Sequence, residues 1–244
     1  MPILDRSTRQ HRYQLIDAAR GIAFVAMVVY HVCVFSRSYG YLDINIQHSL
    51  FWKGFQKLIA GTFFFLVGVN LYLANTPAIR PRKYIYRLAR LIAFAGVVTA
   101  ASVFFNPKAI VTFGILHSIA VCSVLGLLFL RFNYVNILTG VAIITIGIWY
   151  SHPIFDNPAL YWTGLGTCRI LSFDFQPLFP WFGVVVPGIT AGRYFKELRV
   201  SSWHSNSFAA KFLTLIGQHS LILYMAHVPI IIGTLEIIKF IWRA

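Results

Sequence analysis

Seven apolar stretches constrain this chain more than any other feature of its sequence. A transmembrane helix needs about 20 mostly apolar residues. Stretches close to that length lie near residues 17–36, 55–74, 88–106, 110–130, 134–150, 178–195 and 212–239. With 58% hydrophobic and only 11% charged residues, the chain is too apolar for a water-soluble domain. The sequence predicts an all-α polytopic transmembrane helical bundle of about seven spans, forming one domain over residues 1–244.

The formal charge of +14 indicates membrane orientation and not nucleic-acid binding, because no soluble domain is present to carry a basic stripe. Basic residues in so apolar a chain sit mainly in loops and determine which way the helices run. With the N-terminus placed inside, thirteen of the 21 Lys and Arg residues fall on the inner side and seven on the outer, Arg20 being left out. We therefore predict a cytoplasmic N-terminus, retained as the start of a first span, and an outer C-terminus.

The cysteine and histidine patterns argue against a metal site. The three cysteines, Cys33, Cys122 and Cys168, are odd in number and widely spaced, which is typical of neither a disulfide framework nor a zinc motif. The eight histidines are scattered without ligand spacing. We predict no metal.

The first apolar stretch carries a row of ionisable groups. Asp17 and Arg20 lie near its start and His31 near its far end. With about 100° and about 1.5 Å per helical residue, Arg20 and His31 lie about 16 Å apart along the axis and nearly on one face, and Asp17 lies about 40° from His31. Such groups are costly inside a membrane helix and usually face a polar cavity within the protein. The sequence therefore predicts a site in the first span.

Two interpretations of this row stay open. In one, Asp17 and Arg20 form a structural ion pair at the membrane interface, and His31 bonds to a neighbouring helix. In the other, His31 is a general base, since imidazole titrates near neutrality. Arg20 then binds an anionic or carbonyl-bearing cosubstrate, with Asp17 orienting it.

Four more residues are candidate site residues, each with a structural alternative. His48 precedes the second stretch and is also typical of an interfacial residue among aromatics. His117 lies in the fourth stretch, where a buried neutral histidine bonded to a backbone or hydroxyl group is the default expectation. His227 precedes Pro229 by two residues and can satisfy backbone groups that the proline disturbs. Asp174 stands before the proline- and glycine-rich sixth stretch as an outer carboxylate able to orient a histidine.

Five segments cover nearly the whole chain in this order: LIDAARGIAFVAMVVYH, AGTFFFLVGVNLYLA, FGILHSIAV, FQPLFPWFGVVVPGITAGRYF and GQHSLILYMAHVPI. Together they resemble bacterial membrane proteins related to the catalytic domain of heparan-α-glucosaminide N-acetyltransferase, within a larger superfamily of transmembrane acyltransferases. Acyltransferase type 3 proteins of that superfamily carry an essential arginine and histidine separated by ten residues in the first span, and Arg20 and His31 match that spacing.

Heparan-α-glucosaminide N-acetyltransferase itself, the lysosomal enzyme, looks to have its catalytic histidine in a different place. That histidine lies before the second span, in a segment of the form His-Ala-Ser-Trp-Asn-Gly. The segment HSLFWKG at His48 is similar, but it has one extra residue before the tryptophan and a lysine in place of the asparagine. The resemblance therefore leaves two candidate catalytic histidines, His31 and His48.

The resemblance implies an acyltransferase of the bacterial cytoplasmic (inner) membrane. It would move an acyl group, in the first instance acetyl, from cytoplasmic acyl-CoA to a hydroxyl or amine of a carbohydrate or lipid-linked acceptor at the outer face. Arg20 and Asp17 would contact the acyl-CoA, and His117, Asp174 and His227 the acceptor. Membrane lipids are the expected surroundings, and self-association as a homo-oligomer is left open.

A second class of function stays open beside the enzyme. A noncatalytic transporter or a subunit of an envelope assembly is compatible with a small bundle of apolar helices, and no sequence feature names an acceptor. The presence or absence of acyl-CoA binding separates the two classes.

Overall fold

The computed structural model describes residues 13–46, 48–105, 107, 109–168, 170, 172, 174–198 and 205–243. Its described part holds seven α-helices and no strand, which confirms the all-α class. The helices are α1 (Gln14–Ser38), α2 (Leu50–Asn75), α3 (Pro81–Phe105), α4 (Ile115–Gly126), α5 (Tyr134–Trp149), α6 (Leu178–Glu197) and α7 (Phe208–Arg243). The basic amino-terminal segment, residues 1–12, lies outside the described residues.

The seven helices differ in their ability to cross a membrane. Four of them, α1, α2, α3 and α7, are both long and apolar enough to span a bilayer. Helices α4 and α5 are apolar but shorter, and α4 continues into a 3-10 turn that ends at Phe129. Each predicted stretch thus coincides with a helix, while the number of crossings and the inside-to-outside direction stay predictions.

The chain divides into two compact units, one holding α1 and α7 and the other Leu50–Tyr194, from α2 into α6. In the first unit, α1 and α7 run parallel: Asp17 lies beside Gly217, and Phe35 packs with Ile231 and Leu235 at the other end. The first and last helices of a bundle with seven crossings must point the same way.

Glycine allows the two backbones of the first unit to touch. A Cβ on Gly217 would overlap the carbonyl group of Asp17, and a Cβ on Gly21 would overlap the carbonyl of Leu213. Small residues at such crossings let membrane helices approach closely, where packing and not hydrophobic burial holds them together. Gly233, further along α7, has open space at its Cβ position.

The second unit is built around the contact of α6 with α2 and α5. Gly188 and Gly192 of α6 lie against the backbone of Phe65 and Val69 on α2, too close for a Cβ. On the other side of α6, Pro187 packs against Gly140 of α5. The glycine- and proline-rich sixth stretch therefore serves helix packing.

The segment between α5 and α6 folds back on itself. The N–H of His152 donates to the Leu165 carbonyl at 2.9 Å. The Thr167 hydroxyl and the Cys168 N–H donate to the carboxylate of Asp156 at 2.6 and 2.9 Å. These two donors hold the pKa of Asp156 below its usual value. The described part of the segment also holds two short 3-10 turns, Pro153–Asp156 and Tyr161–Thr163.

Candidate functional site: a histidine pair between the first and last helices

Two histidines meet between α1 and α7. Nε2 of His227 lies 3.2 Å from Nδ1 of His31, and the ring centroids are 5.0 Å apart. Nδ1 of His227 lies 2.5 Å from the carbonyl oxygen of Tyr224 on its own helix. His227 is buried, with 7% of its surface exposed, and His31 is half-buried. The structure thus joins two residues that the sequence singled out separately.

Aromatic rings enclose the pair. Phe24 stands edge-on to His227 with centroids 6.1 Å apart, and Tyr30 stands edge-on to His31 at 5.6 Å. The apolar cluster of Phe35, Ile231 and Leu235 follows along the same two helices. An imidazole in such surroundings is poorly hydrated, so its hydrogen bonds to the protein determine where its proton sits.

Arg20 and Asp17 occupy the opposite end of the α1–α7 contact. An Nη of Arg20 donates to a carboxylate oxygen of Asp17 at 3.0 Å and to the Gly217 carbonyl at 3.3 Å. The arginine side chain keeps 22% exposure and the aspartate 12%. The structural interpretation of these two residues, an ion pair near the helix start, is therefore present in the fold, and it also ties α1 to α7.

The predicted common face of α1 is confirmed. Arg20 bonds to the backbone of α7, and His31 bonds to a side chain of α7, so both point toward the same neighbouring helix. On a helix rising about 1.5 Å per residue, the eleven steps between them correspond to about 16 Å. The proposed use of Arg20 and Asp17 for acyl-CoA stays a prediction.

His117 has hydrogen-bond partners at both ring nitrogens. Its Nδ1 accepts from the Gly114 N–H at 3.3 Å, and its Nε2 lies 3.3 Å from the hydroxyl oxygen of Thr99 on α3. The Thr99 hydroxyl donates its own proton to the Val111 carbonyl at 2.7 Å, so it can only accept from His117. The ring therefore caps the first turn of α4, in the manner of the third helical residue of a capping box.

Asp174 caps the same helix end, the N-terminus of α4. One of its carboxylate oxygens accepts from the Ile115 N–H at 3.2 Å, and the nearby Gln176 N–H donates to the Phe113 carbonyl at 3.2 Å. A negative charge at a helix N-terminus is favoured by the helix dipole and by the unpaired N–H groups there. The structure gives Asp174 this capping contact; its assignment to acceptor binding, like that of His117, stays a prediction.

His48 lies in the turn between α1 and α2 and is exposed. Its backbone N–H and its Nδ1 both lie 3.2 Å from the side-chain oxygen of Asn45. This Asx-type turn fixes the ring locally, and its role as the alternative catalytic histidine stays a prediction. In the part of the chain that the structure describes, no group of three or more His, Cys, Asp or Glu side chains is arranged to hold a metal ion.

The spacing of glycine and histidine in the sequence contains a signal for the histidine pair. His31 follows Gly21 by ten residues, and His227 follows Gly217 by ten. Two parallel helices that touch at their glycines place the residues ten positions further on at the same height. Once the parallel packing is known, this equal spacing indicates the contact.

Apolar helices of membrane-spanning length, with charged and titratable groups of one of them facing a neighbouring helix, define an integral membrane protein. Within that class, the sequence profile of the family "Heparan-alpha-glucosaminide N-acetyltransferase, catalytic" matches residues 12–229, which is 218 of the 244 residues. The chain belongs to this family. A comparison with curated proteins and one with solved structures find no match.

Proposed function

We propose that the protein transfers an acyl group, in the first instance acetyl, from cytoplasmic acyl-CoA to an acceptor at the outer face of a bacterial inner membrane. Membership in an acetyltransferase-type family supports the reaction class. The acceptor is a hydroxyl or amine of a carbohydrate or a lipid-linked compound. His31 is the proposed base, and the observation that carries this choice is its position on the polar face of α1, against a second histidine.

In the proposed reaction, Nε2 of His31 takes the proton of the acceptor O–H or N–H as the acceptor atom attacks the thioester carbonyl carbon. The carbon–sulfur bond breaks, the CoA sulfur leaves as a thiolate, and the His31 imidazolium returns the proton to it. No external reductant or oxidant is needed. A ring held in place by a second helix supplies the orientation on which such catalysis depends.

Arg20 is proposed to contact the phosphates or the carbonyl group of acyl-CoA from the cytoplasmic side. A guanidinium recognises such groups with directed, charge-assisted hydrogen bonds. The bond from Arg20 to the Gly217 carbonyl holds this side chain against α7, with part of its surface exposed. Positively charged loops on the same side would raise the local concentration of the anionic cosubstrate.

The test is transfer of radiolabel. Purified protein with labelled acetyl-CoA and a panel of carbohydrate and lipid-linked acceptors should label at least one acceptor, and His31→Ala should abolish that transfer. His48→Ala is the matched variant, because a covalent acyl-histidine on His48 is the competing mechanism. If His48→Ala loses activity while His31→Ala stays active, His48 is the catalytic histidine in place of His31. No labelled acceptor and no labelled protein would count against the enzyme.

Calorimetry separates the enzyme from a noncatalytic transporter or assembly subunit. Acetyl-CoA should bind the wild-type protein and bind Arg20→Ala at least about tenfold more weakly, a change of about 1.4 kcal/mol. Because Arg20 also bonds to α7, Arg20→Ala must keep the wild-type elution profile and melting temperature for the result to count. Absence of binding to the wild-type protein would favour the noncatalytic alternative.

A further inference from the structure

The hydrogen bonds of the α1–α7 histidine pair fix the position of each proton. A backbone carbonyl can only accept, so the contact of His227 Nδ1 with the Tyr224 carbonyl requires a proton on that nitrogen. A neutral imidazole has one N–H, and Nε2 of His227 is then an acceptor. It faces Nδ1 of His31 at 3.2 Å, which must therefore donate.

With the proton on Nδ1, Nε2 of His31 carries the lone pair. Among the described residues, no hydrogen bond to that atom is formed, and the contact of His31 with His227 is made through Nδ1 alone.

We infer that His227 is a positioning residue that keeps the proton of His31 on Nδ1, so that Nε2 is presented to the acceptor as the base. The inference rests on the proposed function for its chemical purpose, but the proton position is a property of the protein alone. When Nε2 takes the acceptor proton, the ring becomes an imidazolium whose Nδ1–H still points at His227. The neutral acceptor there stabilises the new charge without taking the proton.

The fold makes His227 suited to this task. Its own ring is tied to the backbone of α7, two residues before Pro229, and is almost fully buried. The tie leaves Nε2 as the only acceptor that the ring offers toward α1. Because the parallel helices are in backbone contact at Gly217, ten residues earlier, the two rings have little freedom to separate.

Two substitutions separate the bonds that His227 makes. In His227→Gln, the amide oxygen lies as many bonds from Cβ as Nε2 does and can still accept from His31. In His227→Asn, the amide nitrogen replaces Nδ1 and can still donate to the Tyr224 carbonyl, but nothing reaches His31. Both variants are polar and smaller than histidine, so they are matched controls for each other.

The direct measurement is the tautomer of His31, read by ¹⁵N NMR on detergent-solubilised protein labelled only at histidine. The His31 signals are those that disappear in His31→Asn. We expect the Nδ1–H tautomer in the wild type and in His227→Gln, and a smaller Nδ1–H population in His227→Asn. An Nε2–H tautomer in the wild type, or the same tautomer population in all three proteins, would overturn the inference.

Turnover gives the second readout. We expect kcat to fall in His227→Asn by about 10- to 100-fold with little change in KM, the size found when a partner that orients a metal-bound histidine is removed. His227→Gln should regain most of that loss, which a merely structural role would not produce. Equal kcat in the two variants would contradict the inference. If the wild type transfers no acyl group at all, the proposed function fails, while the tautomer measurement still decides the role of His227.

Discussion

Two sites in this protein contain buried or half-buried histidines, but the hydrogen bonds of their rings differ. At the N-terminus of α4, His117 has both ring nitrogens bonded, to the Gly114 N–H and to the Thr99 hydroxyl. Between α1 and α7, the bonds of the pair supply a partner for His31 at Nδ1 and for His227 at both nitrogens. The α4 histidine thus completes a helix end, whereas the pair holds the His31 imidazole at Nδ1, and the other nitrogen of that ring, Nε2, is the proposed base.

Burial alone therefore does not distinguish a histidine that caps a helix from the histidine proposed as the base. The two sites differ in how many nitrogens of the ring have a hydrogen-bond partner: both in His117, but only Nδ1 in His31. A ring whose two nitrogens are both satisfied by its own fold must break a bond before it can accept a substrate proton, at a cost of about 0.6 kcal/mol or more in a membrane protein. A ring held at one nitrogen needs no such step.

The largest expected effect comes from replacing one histidine of each site, His31 and His117, with asparagine. His31→Asn removes the proposed base and should lower kcat by about 10²- to 10⁴-fold, the usual contribution of general base catalysis. Its melting temperature should stay close to that of the wild type. Radiolabel transfer and a thermal unfolding scan on the same preparation measure both quantities. His117→Asn is the paired control, and it should lower the melting temperature while kcat stays close to that of the wild type. A kcat loss as large as that of His31→Asn would remove the distinction between the sites.

The next effect concerns the helix contact that aligns the pair. Gly217→Ala forces a methyl group into the backbone of α1 and should destabilise the protein by about 1–3 kcal/mol, as overpacking does. Activity should fall with it, because the rings shift apart. Gly233→Ala, on the same helix but with open space around the added methyl, should leave both stability and activity unchanged. A denaturant titration distinguishes the two variants, and equal stability would mean that the close crossing does not exist in the membrane.

A smaller effect is expected at the α4 end. Asp174→Ala removes the carboxylate that accepts from the Ile115 N–H and should cost about 1 kcal/mol, the typical value for a lost helix cap. The turnover per folded molecule should not change. Steady-state kinetics on protein selected by size exclusion provide the check. A large rise in KM for the acceptor would instead support the prediction that Asp174 binds it.

The smallest effect is expected for Thr99→Val, which keeps the shape of the side chain but removes the acceptor for His117. An interhelical hydrogen bond in a membrane protein is worth about 0.6 kcal/mol, so the melting temperature should fall only slightly. The hydroxyl of Ser102, one turn further along α3, accepts from the Val111 N–H, so Ser102→Ala is a suitable comparison. If Thr99→Val is inactive, the α4 site takes part in the reaction and the contrast between the two sites is wrong.

Much of the fold could be predicted from the sequence. Each of the seven apolar stretches coincides with a helix, because long runs of apolar residues in this composition have few alternatives to a membrane helix. The shared direction of Arg20 and His31 followed from helical periodicity alone. The length of α5 followed to within one residue, but that of α4 did not, since the apolar run begins before Ile115 and continues through the 3-10 turn after Gly126.

The sequence pointed to the residues of the candidate site, but not to their contact. His31 and His227 each stood out as polar groups in apolar runs, but their contact depends on α1 and α7 being parallel neighbours, and helices so far apart in sequence give no local sign of pairing. For His117, the structural alternative, a histidine with backbone or hydroxyl partners, could be predicted, but not that these partners are the Gly114 N–H and the Thr99 hydroxyl. Which nitrogen of a histidine is occupied is a tertiary property.

The parallel pairing of α1 with α7 has a consequence for the way this protein is made. α1 ends at Ser38 and α7 begins at Phe208, so a ribosome adding about 5–20 residues per second needs about 10–30 s to go from one to the other. During that interval α1 is in the membrane while the Gly217 carbonyl and the His227 ring do not yet exist. The nascent chain therefore needs a temporary host for the polar face of its first helix, such as the insertion machinery itself, until the last helix arrives.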